Sequence, residues 1–350
     1  MTQSPNLQSP NLPIASLQTL IVAMPKVELH VHLQGATQPE TFLALAKRNG
    51  IQLPYDTVEG LRQWYSFRDF DHFIEIYMTI CDCVRTPDDI ELMAREFLKG
   101  QAAQNIKWSE VTYTAWLHRQ IPWTDQLAAI NRARAWAQVE LGVDMGLIID
   151  IPRIITAEEG LINADWAIDG YGNGVIAFGL GGPEVGNPAA RYKAGFDRVR
   201  AAGVPCILHA GETVGPDSIW DAIHTANTLR IGHGVRCVED PDLVTYLRES
   251  QIPLEVSPTS NVCLKVYASL AQHTLPQLLA EGLYVTINSD DPPMFNTNLT
   301  NEWLVCTQTF GWDIDMLKKL NLNAIRASLL PAERKLQLES EFDRFVATGF

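Results

Sequence analysis

The chain is short of positive charge and has no cysteine pair at metal or redox spacing. Among its 350 residues, 27 Lys and Arg stand against 41 Asp and Glu, a formal charge of −14. Phosphate backbones and anionic membranes are held through basic faces, so neither nucleic acid nor membrane is an expected partner. Six cysteines, Cys81, Cys83, Cys206, Cys237, Cys263 and Cys306, are scattered through apolar stretches with no C-x-x-C among them. They read as buried free thiols of a reducing compartment. Cys81 and Cys83 sit two apart in a helical pattern, so they point to different faces and are not read as a metal site. No apolar run approaches about 18 residues, which argues against a membrane span. No Lys or Arg precedes Lys26, so the charged start of a secretory signal is missing. These absences together predict a cytoplasmic protein.

What is present fits a large folded unit. With 46% apolar and 19% charged residues, the chain can bury one large barrel or two ordinary domains. QSPNL occurs twice, at 3–7 and 8–12, and this polar, proline-containing tract predicts a loose leader over 1–24. A single domain is expected over 25–350. There, short apolar or β-branched runs alternate with segments of helical spacing. The strand candidates are Lys26–Leu33, Lys107–Thr114, Val143–Ile151, Val175–Leu180, Pro205–His209, Leu229–Gly232, Ile252–Val256 and Tyr284–Asn288. Helical spacing covers Pro39–Asn49, Pro87–Gln104, Trp123–Leu141, Ala189–Ala202, Asp240–Glu249 and Leu270–Glu281. Eight such units predict an α/β fold, a (β/α)8 TIM-like barrel, with a helical insertion over Ile51–Thr86 after the first strand. An open doubly wound sheet would favour a Gly-rich phosphate loop after an early strand, and none follows Leu33.

Polar residues collect where these strands end. In Leu29-His30-Val31-His32-Leu33, alternation sends His30 and His32 to one face and Leu29, Val31 and Leu33 to the other. Alone, the pair reads equally as hydrogen-bonded core histidines. His209 closes the fifth strand, with Glu212 just beyond it as either a catalytic acid or a helix cap. His233 lies between Gly232 and Gly234, which leave room for close approach. Asp290 and Asp291 follow the eighth strand, as ligands or as a turn signal. Their coincidence at the catalytic end of a barrel favours chemistry, and imidazole with carboxylate suits zinc. Neither HExxH nor H-x-E with P-C-x-x-C occurs, so two other zinc signatures are excluded.

VELHVHLQGA, HAGE, RIGHG and NSDDP, in that order, resemble the signature of the adenosine/adenine deaminase family of the amidohydrolase superfamily. The resemblance implies one Zn2+ per chain on His30, His32, His209 and Asp290. By the same resemblance Glu212 gives a proton to purine N1, and His233 orients and helps deprotonate the attacking water. Asp291 partners N7 and Gly182 offers its backbone near N3. Gln34 stands where animal enzymes carry an Asp associated with the ribose 5′-hydroxyl. The fourth strand ends without the Lys that bridges two metals in related hydrolases, which favours one metal.

The implied substrate is a purine nucleoside. GLGGPEVG differs from the DLAGDE of animal enzymes, and Gly232 with Gly182-Pro183-Glu184 differs from the RIDHG and Ser-Ser-Glu of adenine deaminases. Adenosine (with 2′-deoxyadenosine), converted to inosine and ammonia, ranks first. A 5′-modified adenine nucleoside such as aminodeoxyfutalosine ranks second and free adenine third. A catalytically dead barrel and a cyclic-amide or ester hydrolase are readings from other classes. The first should have lost Glu212, His233 or a ligand, and the second fits poorly with HAGE. The aromatic run Trp64, Tyr65, Phe67, Phe70, Phe73 and Tyr77 is expected to pack, with some members forming a lid over the purine. Asp69, Asp71 and Glu75 are expected on a solvated face. Oligomeric state is not legible.

Overall fold

The computed structural model of the chain describes residues 14–347. Eight parallel strands pair in sequence order: β1 (Lys26–His32), β2 (Ile106–Tyr113), β3 (Asp144–Pro152), β4 (Val175–Gly181), β5 (Cys206–Ala210), β6 (Arg230–His233), β7 (Leu254–Val256) and β8 (Val285–Ile287). Beyond β8 the ring closes through Asp290. Its N–H donates to His30 O (3.1 Å), and its carbonyl accepts from His32 N (2.9 Å). The expected barrel is therefore the observed one. The β7 candidate shortens at its start because Pro253 has no N–H for the ladder, although its carbonyl still accepts from Ile231 N at 2.9 Å.

Helices wrap the strands: α1 (Ile14–Ala23), α2 (Pro39–Arg48), α3 (Val58–Tyr65), α4 (Phe70–Asp82), α5 (Pro87–Ala103), α6 (Trp123–Glu140), α7 (Ala157–Gly170) and α8 (Lys193–Ala201). They continue as α9 (Pro216–Ala226), α10 (Pro241–Ser250), α11 (Pro258–Cys263), α12 (Leu275–Ala280), α13 (Leu299–Phe310), α14 (Ile314–Ala327) and α15 (Ala332–Ala347). The insertion after β1 is helical, carrying α3 and α4 within 51–86. Asp69 caps α4, accepting from His72 N at 2.9 Å, while Asp71 and Glu75 are exposed. The segment expected as one helix over Leu270–Glu281 is a single tight turn followed by α12. Pro276 in the first turn of α12 cannot donate the N–H that a continuous helix needs.

The leader also differs from expectation. Residues 1–13 lie outside the described part, but 14–23 form α1, whose Leu17, Leu20 and Ile21 are buried along with Met24. That i, i+3, i+4, i+7 spacing is an apolar helical stripe. Lys26 then caps the helix end, its ammonium donating to Ile21 O (2.8 Å), Met24 O (2.9 Å) and Val22 O (3.3 Å). All six cysteines are unpaired, five of them buried and Cys263 half-buried. Among the described residues no helix is long and apolar enough to cross a membrane.

Strict alternation fails in β1. Between Glu28 and Val31 it advances three residues while β2 advances two, from Ser109 to Val111. This bulge puts Val27 and Leu29 in a cluster with Trp108 and Ile325, apart from Val31 and Leu33, which join the main core. Above it His30 and His32 share a face as expected. Below them, inside the barrel, Arg230 donates to Glu255 Oε1 (2.6 Å), Glu110 Oε2 (2.5 Å) and Ala327 O (2.9 Å).

Candidate active site

Strand ends bring four imidazoles and a carboxylate to one point. His32 Nε2 stands 3.1 Å from His209 Nε2 and 3.2 Å from Asp290 Oδ1, and His30 Nε2 stands 3.5 Å from the same oxygen. Ligands of a tetrahedral zinc at about 2.0–2.2 Å are roughly 3.3 Å apart, so these spacings fit one such ion. The protonation pattern fits as well. His30 Nδ1 faces Glu255 Oε2 at 2.9 Å, which leaves Nε2 buried without a hydrogen-bond partner and free to ligate. Ser260 Oγ donates to Asp290 Oδ2 at 2.6 Å, turning Oδ1 toward the histidines. His30, His209, His233 and Asp290 also present ligand atoms within 4.8 Å of one another. Gly232 is required here, since a Cβ on it would lie 2.7 Å from His30 Cε1.

Glu212 and His233 flank the cluster. His233 Nε2 is 3.6 Å from Glu212 Oε2 and 3.9 Å from Asp290 Oδ2. A chain of contacts sets the tautomer of His233. Leu275 N donates to His273 Nδ1 (2.9 Å), so the neutral His273 ring donates from Nε2 to Asn261 Oδ1 (3.1 Å). Asn261 must then turn its NH2 to His233 Nδ1 (3.3 Å). Burial lowers the His233 pKa to about 4, so the ring is neutral and carries its proton on Nε2. Burial, reinforced by the negative neighbours Asp290 and Glu184, pushes Glu212 well above the carboxylate range, and its Oε1 has no partner. Burial and the Asp290 charge push Asp291 up to about 8.

Above the cluster opens a cavity continuous with solvent. His32, His209, Glu212, His233, Asp290 and Asp291 form its floor, and Gly182 joins the wall with φ +88°. Phe70, Phe73, Ile74, Tyr77 and Met78 of α4, with Leu117 and Leu264, make the upper wall apolar. The aromatic run thus divides. Trp64 and Tyr65 pack against Phe42, Phe67 packs on Phe73 and Phe295, and Phe70, Phe73 and Tyr77 roof the cavity.

A model of the adenosine deaminase family matches residues 25–345, nearly the whole barrel with its metal-ligand cluster. The chain belongs to the adenosine deaminase family. An aminodeoxyfutalosine deaminase of Streptomyces avermitilis is 38% identical over 336 residues, covering 95% of this chain and 94% of that protein. An adenine deaminase of Crocosphaera subtropica is also 38% identical, over 325 residues, covering 92% and 99%. The zinc-bound structure of an amidohydrolase from Burkholderia ambifaria superimposes with TM-score 0.88 at 26% identity, covering 98% of this chain and 97% of that one. These likenesses correct the substrate order given by the sequence, because they favour the 5′-modified nucleoside and the free base over adenosine.

Within this deaminase fold one expected site residue is elsewhere. Gln34 is fully buried and does not line the cavity. Its Nε2 donates to Thr114 O (3.2 Å) and faces His118 Nε2 (3.3 Å), while its Oε1 accepts from Thr114 N (3.4 Å). It ties the end of β1 to the end of β2 through both its amide nitrogen and its amide oxygen. The remaining expected residues converge. Two unexpected acids join them. Glu184 anchors the Glu212 loop, with Oε1 accepting from Gly211 N (2.8 Å) and Ser218 Oγ (2.6 Å). Its Oε2 accepts from Glu212 N (3.1 Å), Thr213 N (2.6 Å) and Val214 N (2.9 Å). Asp150, ending the apolar run of β3, lines the cavity with an unpartnered Oδ1. An acid closing an apolar barrel strand is a signal the sequence does carry.

Proposed function

We propose that this chain removes the 6-amino group of an adenine nucleoside modified at its 5′ position, by hydrolysis and with release of ammonia. The observation that carries the reaction is Glu212, with its unpartnered Oε1, set beside a zinc-shaped donor group at the cavity floor. One zinc would sit on His30, His32, His209 and Asp290, and when bound it supplies an acidified water as nucleophile at neutral pH. Glu212 stays protonated and hands that proton to N1 as addition at C6 pushes electrons onto the ring. His233, with its proton on Nε2, donates a hydrogen bond that orients the attacking water. The Asn261–His273 chain thus favours orientation over proton acceptance for this residue. N7 is an acceptor, so a protonated Asp291 can donate to it, while the backbone at Gly182 borders N3.

The apolar roof of the cavity supports a nucleoside with an apolar 5′ extension, because Phe70, Phe73, Ile74, Tyr77 and Met78 offer such a group a surface beyond the polar floor. Free adenine remains the second reading on the equal identity to an adenine deaminase. The test compares kcat/KM for 5′-methylthioadenosine, adenosine and adenine on zinc-loaded protein, following the change in purine ultraviolet absorbance. The nucleosides are expected to lead, with 5′-methylthioadenosine at least matching adenosine. A tenfold preference for adenine makes the protein an adenine deaminase. Elemental analysis is expected to find about one zinc per chain, and two tightly bound metals would defeat the ligand assignment.

A further inference from the structure

We propose that Asp150 is the specificity-determining residue for the sugar, its free Oδ1 accepting a hydrogen bond from the ribose 2′- or 3′-hydroxyl of the substrate. The proposal rests on the orientation of the purine in the functional reading above. With C6 over the histidine cluster, N1 faces Glu212 after β5, N3 faces Gly182 after β4 and N7 faces Asp291 after β8. Around the purine, N9 comes between N3 and N7 on the side away from N1. The sugar therefore leaves toward the strands that lie between β4 and β8 on that side, β3 to β1. Asp150 ends β3, beside β4.

The carboxylate is built into this wall. Asp150 is 2% exposed, and Oδ1 has no hydrogen-bond partner although the residue lines the cavity. Gly181 keeps space for the other oxygen, since a Cβ there would lie 2.8 Å from Asp150 Oδ2. Tyr77 from the roof lines the same cavity as Asp150 and Asp291. No Lys or Arg ion pair involving Asp150 occurs among the described residues. A buried acceptor left open in this way costs stability unless a ligand donor reaches it. Ribose hydroxyls are such donors, and Gln34, the residue expected to meet the sugar, is already engaged elsewhere.

The experiment measures kcat/KM for adenosine, 2′,3′-dideoxyadenosine and adenine with the zinc-loaded protein and its Asp150→Asn and Asp150→Ala variants. A hydrogen bond to a buried acceptor predicts a loss of about 10-fold for Asp150→Ala on adenosine. Asp150→Asn, which keeps an acceptor oxygen but no charge, is expected to fall between the two. On 2′,3′-dideoxyadenosine the same substitutions are expected to cost less than about threefold, because the partner is already gone. Equal losses on adenosine and dideoxyadenosine overturn the proposal. A loss concentrated on adenine also overturns it, by placing the carboxylate on N9–H of a free base. If Asp150→Ala does not fold, the near-isosteric Asn variant decides by the same ratio. Failure of the parent protein to deaminate any 6-aminopurine defeats the deaminase reading itself, and that shows before any variant is made.

Discussion

Two buried polar groups occupy the barrel, one above the other, and they are built on opposite terms. In the lower one, Arg230 is bonded to Glu110, Glu255 and Ala327 O, and Glu110 Oε1 also accepts from Trp108 Nε1 (3.0 Å) and Leu329 N. In the upper one, His30 Nε2, Asp150 Oδ1, Glu212 Oε1 and Asp291 Oδ1 are buried with no partner. A buried charge with a partner on every polar atom holds a structure together. Buried atoms left open around one cavity are arranged for something that arrives. Glu255 belongs to both, with Oε1 on Arg230 and Oε2 on His30, so the satisfied network aims a ligand of the open one.

That contrast breaks most sharply at Glu212. Glu212→Gln keeps the shape but removes the transferable proton, and kcat is expected to fall by about 10²–10⁴-fold. Zinc content and thermal midpoint should stay near those of the parent. Loss of zinc would move Glu212 into the ligand set. Glu110→Ala probes the other side. Removing one partner of a buried ion pair is expected to cost about 3–5 kcal/mol in urea unfolding, with turnover per folded molecule within about threefold of the parent. Loss of turnover without loss of stability would erase the distinction between the two groups.

A smaller effect sharpens it. Glu302 is buried and accepts from Thr259 N (3.0 Å) and Thr297 Oγ1 (2.5 Å), yet burial raises its pKa to about 7. Its folded-state pKa is above the unfolded value, so its stabilising contribution is complete below about pH 4.5 and is lost as pH rises through 7. Glu302→Gln removes that slope, and the parent should lose up to about 3 kcal/mol more than the variant between pH 4.5 and 8. Equal slopes in denaturant titrations at the two pH values would show that hydrogen bonds alone satisfy the ionised acid.

The strands and most of the site are legible in the sequence for one reason. Titratable residues closing apolar runs, as His209 and Asp290 do, carry both the periodicity and the chemistry within a few positions. What escapes is non-local. Gln34 stands beside the motif histidines, and the resemblance implies a role at the sugar, but its partners lie about eighty positions away. Glu184 holds backbone N–H groups, which leave no trace in residue identity. The β1 bulge is hidden because Val27, Leu29, Val31 and Leu33 look regular while the missing step is in β2. Helix α1 is masked by the polar repeat before it, although Leu17, Leu20 and Ile21 show its stripe.

His233 and Asp290 hold φ values of +64° and +66°, a left-handed backbone that costs on the order of 1 kcal/mol for residues other than glycine. Glycine would relieve the backbone at both places while discarding the imidazole and the carboxylate. Both side chains are buried and bonded where they stand, so the strain is carried at the two turns that aim them at the cavity.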